Sequence, residues 1–208
     1  MTLHADACAY DRLKWLKHHL RKGPQNTLDA GCGIGLFTLY AAKRGNNVLG
    51  LSFDRSQLDT AETCRDLLGL QNASFKICDL RELDKSDIKR GSYDQIICCE
   101  VIEHILDDQK LIRDLSAFLK PGGMIFLTTP FKGNKGLLGD YISSSEDGGH
   151  VRWGYTHDEI RELFKKVHLD IVDTSYVSGI ISQKAANAWR VLRNINGPLS
   201  RLANMLYR

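Results

Sequence analysis

No run of apolar residues in this sequence is long enough to cross a bilayer, and no basic segment followed by an apolar one opens the chain in the manner of a secretory signal. We therefore expect a cytoplasmic protein. Of its 208 residues, 43% are hydrophobic and 25% are charged. This composition excludes a disordered chain and a membrane bundle, and the length fits a single α/β domain with a sizeable core.

Paired cysteines and strong charge are also missing. None of the six cysteines forms a C-x-x-C pair, so we expect reduced, buried thiols rather than disulfides or zinc ligands. The net charge of +3 is too small to indicate a nucleic-acid partner. No basic stripe or aromatic platform precedes the C-terminal segment, and we expect no nucleic-acid partner.

Apolar runs with strand character alternate with runs of helical periodicity. The first helical run, residues 10–20, belongs to a flanking segment at 1–25 and ends before Gly23-Pro24. Because helices separate the strands, the pattern predicts a Rossmann-like α/β fold, a doubly wound and mostly parallel sheet with helices on both faces. The strands are predicted at 27–29, 47–51, 73–78, 93–99, 123–128 and 169–176, and the helices at 34–43, 56–68, 108–119 and 156–166.

Two segments fall outside this alternation. Residues 131–154 are rich in glycine, serine and charge, and we expect them to form an active-site loop within a domain spanning 26–178. Residues 179–208 form a predicted basic amphipathic helical tail, since from Ile180 onward they carry five basic residues and no acid. The tail is predicted either to pack on the domain or a partner, or to contact an anionic membrane surface or a lipid-linked substrate.

The run Leu28–Gly35 places an acid and three glycines where a strand is predicted to turn into a helix. Glycines permit a tight turn and a close approach to a ligand, and the following helix presents unpaired N–H groups to it. A pyrophosphate would be repelled by Asp29, two residues before the first glycine. The turn therefore favours a cationic ligand over a dinucleotide, although a nucleotide-binding turn of another kind is the alternative.

The order D-x-G-x-G-x-G resembles the first motif of class I S-adenosylmethionine-dependent methyltransferases. The later Pro121-Gly122-Gly123 is similar to the L-K-P-G-G signature of the same class. The resemblance implies S-adenosylmethionine as cofactor and S-adenosylhomocysteine as product. It implies that Gly31, Cys32 and Gly33 lie at the methionine part of the cofactor, with Asp29 near its ammonium through backbone or water.

The second strand of such enzymes normally ends in an acid that binds the ribose hydroxyls, but Ser52 stands at that position. The run Gly50–Gln57 resembles cyclopropane fatty acid synthases, which are methyltransferase relatives. That resemblance implies that Ser52 and Gln57 together bind the ribose hydroxyls, with Phe53 against the adenine. Asp54 is the rival, either as the ribose acid or as the cap of the next helix.

Two further strand ends complete the expected cofactor site. Asp79 stands where members of the class bind the adenine amino group, and its alternative role is that of a turn residue. Leu80 follows it, and Glu100, after the fourth strand, would line the cofactor from the other side.

The run Glu100–His104 resembles the E-V-x-E-H motif of small-molecule O-methyltransferases, notably those of ubiquinone biosynthesis. Transfer to oxygen requires removal of the hydroxyl proton, by a base or through a metal. His104 is the candidate base, with Glu103 and His150 as further catalytic candidates; bracing of the next helix is the alternative. A similar run in small-RNA 2′-O-methyltransferases joins a later histidine around a divalent cation, which would also involve Glu100, but we do not favour a metal.

These observations predict an S-adenosylmethionine-dependent methyltransferase that acts on a hydroxyl oxygen of a small or lipid-linked acceptor. Two rivals remain: a lipid-modifying enzyme like the cyclopropane synthases, and a non-catalytic cofactor-binding subunit of a methyltransferase complex. A full class I sheet has a sixth strand and an antiparallel seventh, and the sequence after residue 176 shows no seventh strand. We expect the sheet edge to be covered by the tail or a partner.

Overall fold

A computed structural model describes residues 7–133 and 142–179, together with Ser182 and Lys184. The chain divides into two compact units. The smaller comprises 1–19, 136–139 and 175–208, and its described part contains helix α1, Ala7–His19. The larger comprises 20–135 and 140–174 and contains every other element described below. Most of the predicted tail therefore lies outside the described residues.

Strands and helices alternate along the larger unit. Two short 3₁₀ helices, Leu80–Lys85 and Ile102–His104, follow β3 and β4 and were not predicted. The remaining elements are β1 Asn26–Ala30, α2 Leu36–Lys43, β2 Asn47–Ser52, α3 Arg55–Leu68, β3 Ala73–Ile77, β4 Tyr93–Cys99, α4 Asp108–Phe118, β5 Leu119–Thr128 and α5 His157–Lys165.

The described strands form one parallel sheet in the order β3-β2-β1-β4-β5. The strand order reverses between β1 and β4, so a crevice is expected at their carboxyl ends, where parallel α/β sheets bind ligands. The predicted Rossmann-like fold is confirmed. The residues that follow β1, β2, β3 and β4 all lie at the carboxyl-terminal end of the parallel sheet.

The core lies between the sheet and α4, and it explains why these segments fold as they do. Leu28, Ile96, Ile112 and Phe118 are buried in one hydrophobic cluster. Such close-packed apolar contact is the main favourable contribution to folding, at roughly 25 cal/mol for each Å² removed from water. The cluster fixes β1 and β4 side by side, and thereby fixes the two strand ends that border the crevice.

The predicted sixth strand is wrong. Residues 169–176, all of which the structure describes, have no regular secondary structure. Strand propensity reflects the fit of β-branched side chains to a half-buried sheet surface, and Val172 is 80% exposed. Within the described residues, β5 is therefore the last strand at its edge of the sheet.

Pro121-Gly122-Gly123, the run similar to the L-K-P-G-G signature, lies within the first half of β5. β5 begins at Leu119 and runs through these residues, and its register against β4 shifts between Tyr93 and Gln95. β5 has three more residues than β4 over this stretch, and Gly122 has φ of 75°, so the extra residues form an irregular segment at the start of the strand, where a proline without an N–H can be tolerated.

Candidate active site

The glycine turn joins β1 to α2 at the crevice. The N–H groups of Gly31 and Cys32 donate to the carbonyl oxygen of Leu51, at 3.0 and 2.8 Å, which ties the turn to the end of β2. Gly31 has φ of 84°, and a Cβ there would clash with the side chain of Val101. The position therefore requires glycine, and it places the run that begins at Glu100 directly against the turn.

Asp29 is buried beneath this turn. Its carboxylate accepts a hydrogen bond from the Thr38 hydroxyl at 2.6 Å, and only 1% of the residue is exposed. Burial raises the pKa of Asp29 to about 7, against the opposing effect of the bonds from Thr38. The described geometry links Asp29 to α2, which is compatible with the predicted influence on the cofactor through the backbone.

Three of the predicted cofactor residues meet beside the turn. The Ser52 hydroxyl donates to Gln57 Oε1 at 3.3 Å, and the Cβ position of Gly33 lies 3.7 Å from the same oxygen. Ser52 is buried at the end of β2, whereas Gln57 lies in the first turn of α3. The fold thus brings together a hydroxyl and an amide at the place expected for the ribose. Their contact with the ribose stays a prediction.

Asp54 has the capping role that the sequence left as its alternative. Its carboxylate accepts from the N–H groups of Ser56 and Gln57, at 2.8 and 3.4 Å, at the start of α3. The Ser56 hydroxyl also donates to it and is the main reason why the pKa of Asp54 is lowered. An aspartate in this position satisfies N–H groups that the helix itself cannot.

The residues predicted to surround the adenine lie at the surface and at the end of β3. The Phe53 residue is 70% exposed, so a ring face is open to a ligand. Asp79 accepts from the N–H of Arg81 at 2.9 Å and from its guanidinium, which holds the pKa of Asp79 below its usual value. It starts the 3₁₀ helix that contains buried Leu80. Asp79 has the turn role here, and its contact with adenine stays a prediction.

Glu100 follows β4 and has an unusual backbone. Its φ of 56° lies in the left-handed region, which is uncommon for residues other than glycine. Its N–H donates to the carbonyl oxygen of Thr128 at 2.9 Å, and its carboxylate accepts from the Thr128 hydroxyl at 3.0 Å. These bonds hold Glu100 at the ends of β4 and β5.

The three predicted catalytic residues lie together. One potential ligand atom from each of Glu103, His104 and His150 falls within 4.8 Å of the others, and the two imidazole rings meet edge to face with centroids 4.7 Å apart. Glu103 is fully buried and accepts from the Thr129 hydroxyl at 3.3 Å. Glu100, which the metal hypothesis also included, is not part of this group.

The His104 ring has a defined orientation. Its Nδ1 lies 3.0 Å from the carbonyl oxygen of Gly149, so Nδ1 carries the proton that this bond requires. In the neutral ring Nε2 then has the free lone pair, and it lies 3.9 Å from Glu103 Oε1. This arrangement suits a general base whose conjugate acid a carboxylate stabilises, and the three donors also suit a divalent cation.

Sequence reasoning missed a second group of side chains that borders this cluster. Arg152 lies 2.9 Å from the carboxylate of Asp108 and is hydrogen-bonded to the Tyr155 hydroxyl, which itself donates to Asp108 at 2.7 Å. Arg152 lies in the predicted active-site loop at 131–154, but nothing in the spacing of the sequence indicated a partner in the first turn of α4.

A cavity of about 600 Å³ opens next to this group. It lies between residues 151–155 and α5, and its lining combines apolar side chains with charged ones. Its lining includes Ile142, Val151, Trp153, Leu163, Lys132 and Lys166. Such a size fits a small organic molecule.

Comparison with known proteins identifies the family. Residues 7–174 match the family model of a methyltransferase domain. The chain belongs to this methyltransferase family. The resemblance to class I S-adenosylmethionine-dependent methyltransferases is therefore confirmed. Within the described residues, no helix of this methyltransferase is long and apolar enough to span a membrane.

Curated relatives of this methyltransferase carry the name of one activity, ubiquinone biosynthesis O-methyltransferase. A ubiquinone biosynthesis O-methyltransferase of Coxiella burnetii is 34% identical over 127 residues, which cover 61% of this chain and 53% of that protein. The chain thus spans about half the length of the curated relatives it matches.

Solved structures with the same fold carry the names of other activities. The [4+2]-cyclase SpnF matches with a TM-score of 0.73 and 21% identity, over 95% of this chain and 72% of that one. The phosphoethanolamine N-methyltransferase 2 of Haemonchus contortus, in complex with S-adenosyl-L-methionine, matches with a TM-score of 0.72 and 21% identity, over 95% and 47%. At this identity they show the fold alone.

Proposed function

We propose that this chain binds S-adenosylmethionine and transfers its methyl group to a hydroxyl oxygen of a small or lipid-linked acceptor. The observation that carries the proposal is the contact between Gly31 and Val101, which puts the glycine turn against the Glu100–His104 run. A cofactor seated on the turn would then present its reactive end to the histidines. The curated relatives named as ubiquinone biosynthesis O-methyltransferases support an oxygen acceptor.

In the proposed reaction, the bound cofactor supplies a methyl group already activated by a sulfonium. The chain's own residues then have two tasks. His104 accepts the acceptor's hydroxyl proton at Nε2, while the acceptor oxygen forms the new bond to carbon and the C–S bond breaks with its electron pair retained by sulfur. The carboxylate of Glu103 stabilises the resulting imidazolium.

His104→Gln tests this role. Loss of a general base costs about 100- to 10,000-fold in rate, so turnover should fall by that range while affinity for S-adenosylhomocysteine stays unchanged. The assay follows transfer of a labelled methyl group to a panel of catechols, phenols, amines and unsaturated phospholipids, with His157→Gln on α5 as the matched control. Transfer only to phospholipid would instead favour the cyclopropane-synthase rival.

Glu103, His104 and His150 also have the chemistry of a divalent cation site. We propose the base rather than the metal, because Glu100, which the metal hypothesis also included, is not part of the group. Dialysis against a chelator should therefore leave methyl transfer intact. Loss of turnover that returns on addition of Mg²⁺, Mn²⁺ or Zn²⁺ would assign the cluster to a metal instead.

A further inference from the structure

One side chain holds both ends of the segment that carries the proposed catalytic pair. Arg152 Nη1 donates to the carbonyl oxygen of Ile102 at 3.2 Å, and Nη2 donates to that of Leu106 at 2.8 Å. These two carbonyls bracket Glu103 and His104. The enclosed 3₁₀ helix has only three residues, so its own hydrogen bonding contributes little to keeping it in place.

The residues before Arg152 bind the same segment from the other side. The N–H of Val151 donates to the carbonyl oxygen of Glu103 at 2.9 Å, and the carbonyl oxygen of Gly149 accepts from His104. His150 stands between these two contacts. Its ring can contact that of His104 only while residues 149–152 stay hydrogen-bonded to residues 102–106.

Two further side chains hold Arg152 in place. The Tyr155 hydroxyl and the Asp108 carboxylate contact its guanidinium, and Tyr155 is 6% exposed. The N–H of Tyr155 donates to the carbonyl oxygen of Pro130 at 2.9 Å, just beyond β5. The two N–H groups of Nη1 are shared among the Ile102 carbonyl, the Asp108 carboxylate and the Tyr155 hydroxyl, while Nη2 donates to Leu106. A lysine ammonium is a single point with three donors and cannot reproduce this planar two-nitrogen arrangement.

We propose that Arg152 is a positioning residue that sets the geometry of His104 against His150. This inference rests on the proposed function for its catalytic meaning, but the geometry can be tested without an acceptor. The guanidinium forms the hydrogen bonds described above with groups other than the two imidazoles. It acts through the backbone of 102–106 on one side and through residues 149–151 on the other.

The test is a nuclear Overhauser contact between the His104 and His150 rings in the full chain labelled at histidine. The wild type should show it, since the ring centroids are 4.7 Å apart. Arg152→Met should lose it, and Arg152→Lys should weaken it and move both ring resonances. Arg161→Met and Arg161→Lys are the matched controls, because exposed Arg161 on α5 pairs with Asp158 and should leave the rings unchanged.

Affinity for S-adenosylhomocysteine should fall by no more than a few-fold in the Arg152 variants, because the guanidinium bonds to the carbonyls of Ile102 and Leu106 and not to the turn or to α3. Once an acceptor is known, turnover should fall by about 100-fold with little change in KM for the cofactor. A ring contact retained in a folded Arg152→Met chain would overturn the inference. If that variant does not fold, an unchanged ring contact and unchanged resonances in Arg152→Lys would overturn it equally.

The two proposals fail separately. A wild-type chain that binds neither S-adenosylmethionine nor S-adenosylhomocysteine, yet shows a ring contact that depends on Arg152, would refute the proposed function and leave the positioning role in place. A chain that binds both ligands and keeps its ring contact in both Arg152 variants would refute the positioning role alone.

Discussion

Asp29 is a carboxyl group that the fold has almost completely removed from water, and its pKa of about 7 contrasts with an ordinary value of 3.8. Between these two values the folded chain holds a proton that the unfolded chain has lost. Stability contributed by this proton is present at low pH and is lost as the pH rises through that window.

The free energy of unfolding should therefore decline between pH 5 and pH 7.5, and Asp29→Asn should flatten that decline, since an amide can accept from Thr38 without titrating. Urea unfolding at a series of pH values measures both slopes. Equal slopes in the two chains would show that Asp29 is ionised in the folded state throughout.

Gln57 tests the assignment of the ribose. It shares a hydrogen bond with Ser52 beside the glycine turn, whereas Asp54 is occupied at the start of α3. Gln57→Ala should weaken S-adenosylmethionine binding by about ten-fold, the loss of one or two hydrogen bonds. Asp54→Asn, which still caps the helix, should bind as the wild type does. If calorimetry instead shows weaker binding in Asp54→Asn than in Gln57→Ala, the ribose contact belongs to Asp54.

At the scale of elements, sequence patterns predicted most of the framework. The bounds of β4, 93–99, agree with the structure, because its apolar run is buried in the centre of the sheet. The strand at 169–176 was wrong, since an apolar alternation cannot show whether a burying surface is available. The grouping of Glu103, His104 and His150 was predicted from resemblance. The role of Arg152 could not be predicted, because it depends on hydrogen bonds to backbone carbonyl oxygens, which every residue carries.

Helix α5 follows the segment that carries Arg152 and begins with a reciprocal cap. The Thr156 hydroxyl accepts from the N–H of Glu159, whose carboxylate accepts from the N–H of Thr156. Thr156→Ala should lower the free energy of unfolding by about 1 kcal/mol. Thr63→Ala is the control, because exposed Thr63 donates to the carbonyl oxygen of Asp59 within α3 and caps no helix. Equal losses in both variants by urea unfolding would show that the cap stabilises nothing.

For the whole molecule, the fold alone does not determine the reaction. Chains with the same architecture include a [4+2]-cyclase and an N-methyltransferase, and the curated O-methyltransferases that this chain matches are about twice its matched length. The chemistry has to be argued from the site, where the glycine turn meets the histidine cluster through Val101. The cavity beside α5 has Val151 and Arg152, which follow His150, in its lining.

The central claim is that the glycine turn selects S-adenosylmethionine, and isothermal titration of the full chain with S-adenosylmethionine, S-adenosylhomocysteine and NAD tests it most directly. We expect saturable binding of the first two and no binding of NAD at pH 8, where the Asp29 carboxylate beneath the turn is ionised and disfavours a pyrophosphate. Gly31→Ala should abolish binding of both, since the added Cβ clashes with Val101. Tight binding of NAD with no response to S-adenosylmethionine or S-adenosylhomocysteine would contradict the account.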